Sequence, residues 1–300
     1  MSVNRKCALV EKHSVDLVVL LTPLRGLRFG QVIYHLRRML RIRLWQWPNR
    51  LALDAALIAL VWQAAVAQIL EFPINASAQI VLGLSVWLTY MADRLFDVAK
   101  RPIEQLHSTR HRFAKQHFRV LWGFWFNILI VNIGVALTGL SFNQLRNGAV
   151  LLALCLLYTA LNQALSRRFF PKEICVAIIY AGGVIVFLLP NAKLWLPTGT
   201  LTLLCLINCL MIGAKERCVD AALQVRSLAQ LPTPLIIALE VTCGLSLYFM
   251  DRAWALPIGL SLGVLLMIHA NQKRLSVEAF RVLTDSALLI GPIVALSINL

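Results

Sequence analysis

Long apolar stretches recur along almost the whole of this chain, and they restrict it to folds whose outer surface faces lipid. Hydrophobic residues make up 59% of the 300 positions and charged residues only 14%, which leaves too few polar side chains to cover a water-facing surface. In a bilayer, backbone amides must find partners within the protein, and the period-two alternation of a membrane barrel is absent. The sequence therefore predicts an all-α, polytopic membrane protein.

Nine segments come close to the length of about 20 apolar residues that a membrane-spanning helix needs. Prolines and polar residues separate them, as at Phe72-Pro73-Ile74-Asn75 between the first two and at Pro232 and Pro234 before the seventh. The predicted spans are 51–70, 77–96, 120–140, 147–165, 173–190, 195–214, 232–250, 253–271 and 283–300.

The distribution of Lys and Arg predicts how these spans are oriented. With the N-terminus in the cytoplasm, all but three of the 29 basic residues fall on the cytoplasmic side, the exceptions being Arg146, Lys193 and Arg252. We therefore expect an integral protein of the bacterial inner (plasma) membrane with its C-terminus outside. The formal net charge of +15 is explained by topology and contact with anionic membrane lipid, so no nucleic-acid partner is expected.

Two domains are predicted. Residues 1–49 form a basic cytosolic N-terminal segment, in which the stretch from Leu27 to Trp47 carries arginines among apolar residues and is typical of an amphipathic helix on the inner membrane surface. Residues 50–300 form the transmembrane domain.

The pattern acid-Arg-x-x-Asp occurs twice, each time at the cytosolic end of a predicted span. The first copy runs from Asp93 to Asp97 and the second from Glu216 to Asp220, and together they hold four of the 14 acidic residues. Carboxylates four residues apart share a helix face and repel each other by a few tenths of a kcal/mol. Two such pairs that converge would need cations, and Mg²⁺, which usually accompanies a phosphorylated substrate, is the natural one.

A lipid diphosphate would fit such a site, because carboxylate-held Mg²⁺ and basic side chains neutralise its head while the membrane cavity shelters its tail. Arginine and lysine bind the remaining phosphate oxygens. The alternative is that the acids are solvated helix-end charges paired to Arg94 and Arg217. Nearby basic candidates for phosphate contact are Lys100, Arg101, Lys172, Lys215 and Arg226.

The segment Tyr90-Met91-Ala92-Asp93-Arg94-Leu95-Phe96-Asp97, with Lys100-Arg101 after it, resembles the first aspartate-rich motif of the UbiA superfamily of intramembrane prenyltransferases. The segment Glu216-Arg217-Cys218-Val219-Asp220 is similar to the second motif of that family. The resemblance implies about nine transmembrane helices around a central cavity. It also implies an enzyme, a Mg²⁺-dependent prenyltransferase that moves a polyprenyl group from its diphosphate to an aromatic or other hydrophobic acceptor.

By this resemblance, the catalytic and metal-binding residues are Asp93, Asp97, Glu216 and Asp220. Lys100 and Arg101 are the implied diphosphate contacts, and Arg94, Arg217 and Lys172 are further candidates.

The chain departs from the family pattern in both motifs. Thr89-Tyr90 stands where the family has Asn-Asp, and the second motif begins with Glu216 instead of aspartate. These departures indicate a divergent member, and they motivate an alternative, a non-catalytic UbiA-like membrane protein that binds or transports lipid.

Other ionisable residues lie in or near the predicted spans. Asp285 either lines the same cavity or pairs with Arg281, and Asp54 is a candidate for the cavity rim. Glu240 lies within span seven, where a charge costs on the order of 2.5–3.5 kcal/mol at the bilayer centre, so we expect it to be protonated, hydrogen-bonded or in a wet cavity. His107 and His111 have metal-ligand spacing, but the basic residues around them favour a solvated loop.

Overall fold

The computed structural model describes residues 44–99, 101–106, 108–165, 171–189, 194–217, 228 and 233–298, which form nine long helices, two short ones and a few single turns of 3-10 helix, with no strand among them. In chain order the helices are α1 (Trp47–Arg50), α2 (Leu53–Ile69), α3 (Ala76–Ala99), α4 (Thr109–Gln116), α5 (Phe118–Gly139), α6 (Phe142–Leu165), α7 (Lys172–Ile185), α8 (Trp195–Lys215), α9 (Thr233–Ser246), α10 (Arg252–Ala270) and α11 (Val277–Ser297).

Each of the nine predicted spans corresponds to one long helix, so the predicted fold class is confirmed. The largest shift is at the last helix, which begins at Val277 and not at position 283, because the Ser276 hydroxyl accepts a 3.2 Å hydrogen bond from the Ala279 amide and caps it. The predicted amphipathic helix from Leu27 to Trp47 lies outside the described residues, apart from its last four, which form the 3-10 turn Leu44–Gln46 and the start of α1.

The first and last long helices pack side by side and close the bundle. Helix α2 contacts α3, α7 and α11, and α11 also packs extensively on α10. The indole nitrogen of Trp62, a core side chain that is 2% exposed, donates a 2.8 Å hydrogen bond to the backbone carbonyl of Leu288 across this contact. Residues more than 200 positions apart in the sequence therefore share one core.

The outer surface of the bundle is strongly apolar. Helices α5, α6, α8, α10 and α11 are each long and apolar enough to cross a membrane. Exposed aromatic and aliphatic side chains concentrate on α5 and α6, where Phe142 is 79% and Leu156 is 63% exposed. Such a surface is stable only where lipid covers it.

Glu240 is satisfied inside the bundle. Its carboxylate lies 2.6 Å from the Nδ1 atom of His269 on α10, and both side chains are largely buried. The expectation of a hydrogen-bonded side chain is confirmed, and the pair links α9 to α10.

Helices α10 and α11 approach closely at Gly291. A Cβ atom added there would overlap the carbonyl oxygen of Pro257 and would lie 2.7 Å from the Ser261 hydroxyl, which already accepts a 3.2 Å hydrogen bond from the Gly291 amide. The backbone contact at this position therefore requires a residue without a side chain.

We expect Gly291→Ala to lower the free energy of unfolding by about 3 kcal/mol, at the upper end of overpacking costs, because backbone cannot move aside as a flexible side chain can. Thermal unfolding of the full chain in detergent measures the effect. Gly263→Ala on α10 is the matched control, since nothing lies within 4 Å of its added Cβ. Equal stability of the two variants would contradict the tight contact.

Candidate functional site

A cavity of about 620 Å³ lies at the end of the bundle that carries Asp97 and Glu216, which we call the motif end. Residues from α1, α2, α3, α4, α6, α7, α8 and α11 line it, which is eight of the eleven helices in the described part of the chain. Ionisable, amide and aromatic side chains predominate among the lining residues, including Asn49, Asp54, Tyr90, Asp93, Asp97, Arg101, Arg110, His111, Tyr158, Lys172, Glu173, Tyr180, Asn208, Glu216 and Asp285.

The first acidic pair lies on the cavity wall as predicted. Helix α3 brings Tyr90, Asp93 and Asp97 to one face because they are three and four residues apart, and all three line the cavity. The Asp97 Oδ2 atom lies 3.8 Å from the Nε2 atom of His111 on α4. Two carboxylates one helical turn apart therefore face the same cavity.

The second acidic motif is placed differently from expectation. Helix α8 ends at Lys215, and Glu216 caps it instead of continuing it. One carboxylate oxygen of Glu216 lies 3.2 Å from the Nη2 atom of Arg110, and the other contacts the guanidinium of Arg281. Two arginines thus occupy the two oxygens that were expected to bind metal. Asp220 and Lys100 lie outside the described residues.

Three of the predicted basic contacts line the cavity, and Arg217 does not. Arg101 and Lys172 line the cavity. Arg94 lines it too, but its Nη1 atom donates to the backbone carbonyls of Asn49 and Arg50 at 2.9 and 2.6 Å, so it also holds α1 against α3. Arg217 is exposed and is not among the lining residues.

The prediction of a solvated loop is wrong for His111, while His107 lies outside the described residues. His111 is only 5% exposed and its Nδ1 atom has no partner within the described part of the chain. Burial and the neighbouring arginines, first Arg110, lower the pKa of His111 well below its ordinary value, so the ring is neutral at pH 7. The basic segment folds inward as α4, against the motif end.

Several lining residues were not predicted from the sequence. Tyr180 donates a 2.7 Å hydrogen bond from its hydroxyl to the backbone carbonyl of Ala55, and its ring meets Tyr90 edge-on at 6.4 Å between centroids. Glu173 and Asn208 are 4% and 7% exposed, and each has one oxygen without a partner within the described residues. The sequence does point to Glu173 and Asn208, because polar residues in apolar spans are costly and are retained for function or packing.

The described residues bear on whether the chain can hold a divalent cation. They contain no group of three or more His, Cys, Asp or Glu side chains placed to hold a metal. Mg²⁺, however, keeps most of its waters and usually takes only one or two carboxylates together with substrate phosphates. Asp93 and Asp97 satisfy that requirement, whereas Glu216 in its present ion pairs does not.

Comparison with solved structures identifies the architecture. The apo structure of a UbiA homologue from Aeropyrum pernix K1 matches 82% of this chain and 98% of its own chain, with a TM-score of 0.57 and 13% sequence identity. The chain has a UbiA-like fold. No protein-family model and no curated protein matches the sequence.

The UbiA-like fold, together with the apolar helices, establishes an integral membrane protein that associates with lipid. At 13% identity the structural match concerns the fold alone, so the chemistry must be argued from the cavity itself.

Proposed function

We propose that the protein is an intramembrane prenyltransferase that uses Mg²⁺ and a polyprenyl diphosphate. The observation that carries this proposal is the meeting of Asp93 and Asp97 with Arg101 and Lys172 on the wall of one cavity of about 620 Å³. Carboxylates for a cation and cations for phosphate oxygens are the two groups that a diphosphate head requires.

In this proposal, separate residues bind the cation and the diphosphate. Asp93 and Asp97 would hold the cation, and Arg101 and Lys172 would contact the oxygens that the cation leaves free. Bound Mg²⁺ supplies neutralisation of the charge that builds up on the departing diphosphate. The proposal also assigns cation binding to Asp220 and diphosphate contact to Lys100, and variants at these two positions test those roles.

Tyr90, Tyr158 and Tyr180 provide aromatic surface in the same cavity. When the carbon–oxygen bond to the diphosphate breaks, the diphosphate leaves with the electron pair and an allylic cation remains. An aromatic face stabilises a cation by about 0.5–2 kcal/mol and excludes the water that would capture it. The acceptor then forms the new bond and releases a proton.

A second candidate is favoured by the ion pairs of Glu216. Because Arg110 and Arg281 neutralise this carboxylate, the second motif offers less to a metal than the resemblance implies. A protein with this arrangement could hold a lipid diphosphate without transferring its prenyl group.

One experiment separates these candidates. The full chain in nanodiscs is mixed with geranylgeranyl thiolodiphosphate, which resists cleavage, in the presence of Mg²⁺ or of a chelator. We expect stabilisation by about 2.7 kcal/mol at a ligand concentration of 100 times Kd, and only with Mg²⁺. Equal thermal unfolding in all samples would contradict the site itself.

The cleavable diphosphate is then supplied with a panel of hydroxylated aromatic acceptors, and released diphosphate and prenylated product are measured. Product that requires Mg²⁺ supports the transferase. Mg²⁺-dependent binding without release of diphosphate supports the lipid-binding protein instead.

A further inference from the structure

A second pair of carboxylates faces the same cavity, and the proposed diphosphate site does not use it. Asp54 lies at the start of α2 and Asp285 lies on α11. The Nδ2 nitrogen of Asn49 lies within hydrogen-bond distance of both, at 2.6 Å from Asp54 Oδ2 and 3.4 Å from Asp285 Oδ2. The two acids therefore converge, although more than 200 residues separate them in the sequence.

Asn208 on α8 completes this group, which we call the amide–acid cluster (Asn49, Asp54, Asn208, Asp285). Its Nδ2 atom donates a 3.1 Å hydrogen bond to Asp285 Oδ1. Its carbonyl oxygen is different, because it has no partner among the described residues although the side chain is only 7% exposed and lines the cavity. An amide oxygen left unsatisfied in a buried site is costly, so it indicates a ligand that donates to it.

The atoms that this cluster presents are almost all acceptors. The carboxylates of Asp54 and Asp285 can only accept when ionised, and the free Asn208 oxygen can only accept. A ligand that carries hydroxyl or ammonium groups would satisfy them. A ligand that carries a carboxylate would meet like charge in an enclosed site and would be rejected.

Nearby arginines argue against a second metal ion here. Arg281 interacts electrostatically with both Asp285 and Asp54, and Arg94 also interacts with Asp54. These guanidinium charges partly balance the two carboxylates, so the cluster does not need a divalent cation for its neutralisation. A neutral or singly charged group that donates hydrogen bonds therefore fits better.

An aromatic wall adjoins the cluster. Tyr180, whose hydroxyl binds the carbonyl of Ala55, is anchored to the residue after Asp54, and Tyr90 lies edge-on to it. Both rings line the cavity, so a flat apolar body placed there would bring its polar substituent to the acids. Tyr90 occupies one of the two positions at which the first motif departs from the family pattern.

We propose that the amide–acid cluster is the acceptor subsite, and that it selects an aromatic acceptor bearing a hydroxyl or ammonium substituent over one bearing a carboxylate. The proposal rests on the proposed function, since it names the partner to which the prenyl group would pass. It assigns Asp54, Asn208 and Asp285 a binding role apart from the diphosphate head.

Three probes of one shape test this selection, namely benzyl alcohol, benzylamine and benzoate. Their binding to the full chain in nanodiscs is measured by calorimetry. We expect the alcohol and the amine to bind about tenfold to a hundredfold more tightly than the carboxylate, because only they donate to the cluster from that end. Equal affinities, or tightest binding of the carboxylate, would overturn the proposal.

Asp285→Asn then changes the charge of the cluster with little change of shape. The amine should lose about tenfold in affinity, the carboxylate should gain, and the alcohol should change least. Asp54→Asn should change the three affinities in the same directions. It replaces Asp285→Asn in the test if that variant does not fold. Asp251→Asn is the matched control, because Asp251 is exposed and is not a lining residue.

Two further measurements separate this subsite from the diphosphate site. Calorimetry with MgCl₂ alone should give the same result for wild type and Asp285→Asn, and loss of cation binding in the variant would make the cluster a metal site and overturn the proposal. Stabilisation by geranylgeranyl thiolodiphosphate with Mg²⁺ should persist in Asp285→Asn. If the thiolodiphosphate binds but the probes are not distinguished, the acceptor subsite fails alone. The reverse result removes the transferase and the acceptor role with it, and leaves the cluster only as a binding site for hydrogen-bond donors.

Discussion

Asp93→Asn is expected to lower kcat/KM for prenyl transfer by about 10²–10³-fold. The substitution keeps the shape of the side chain and its place on the cavity wall, but it removes the negative charge that would hold the cation over the diphosphate. Folding should be preserved, because an amide is less costly to bury than a carboxylate. Product formation by wild type and variant is compared at several Mg²⁺ concentrations.

Asp97→Asn should behave similarly, and the double variant should be little worse than the poorer single one. Residues that serve one cation act as a unit, so their effects do not add. Asp251→Asn, at an exposed position remote from the cavity lining, is the control for the change of residue type. Activity of Asp93→Asn within a few fold of wild type would exclude this carboxylate from catalysis.

The second large effect is expected on the free energy of unfolding, when the ion pair between Arg281 and Glu216 is broken. Arg281→Met should lower the free energy of unfolding by about 3–5 kcal/mol, because the Glu216 carboxylate would remain buried with only the partly exposed Arg110 as partner. The side chains of Arg281 and Glu216 are 4% and 6% exposed, so water cannot replace the lost guanidinium. Thermal unfolding in detergent, followed by tryptophan fluorescence, measures the change.

The double variant Arg281→Met with Glu216→Gln removes both charges and should recover much of the lost stability. Arg252→Met serves as the control, since Arg252 begins α10 at an exposed position. If the double variant is as unstable as Arg281→Met alone, the lost stability comes from packing of the Arg281 side chain and not from the unpaired Glu216 carboxylate.

The fold was largely predictable from the sequence, because the constraint that produces it is local. An apolar run of about 20 residues forms a helix wherever lipid surrounds it, and all nine predicted spans became long helices. The placement of Asp93 and Asp97 on one face also follows from helix periodicity alone. Apolar length alone does not predict the early start of α11, because the capping residue Ser276 sets it.

The contacts of the site were not predictable in the same way. Arg110 and Glu216 meet across 106 positions, and no local pattern records that pairing. The basic neighbours of His111 favour a solvated loop, yet Arg110 pairs with the buried Glu216 and His111 itself lies 3.8 Å from Asp97. Asp54 and Asp285 lie far apart in the sequence, and only the packing of the first long helix on the last brings them together.

The contact between α2 and α11 has a consequence for biosynthesis. During synthesis, Trp62 and Asn49 lack their partners Leu288 and Asp285 until the final long helix has been made. Until then, Glu216 also lacks the guanidinium of Arg281 and has Arg110 as its partner. A chain truncated before its last helix would therefore lack these contacts, and we expect it to be less stable than the full chain.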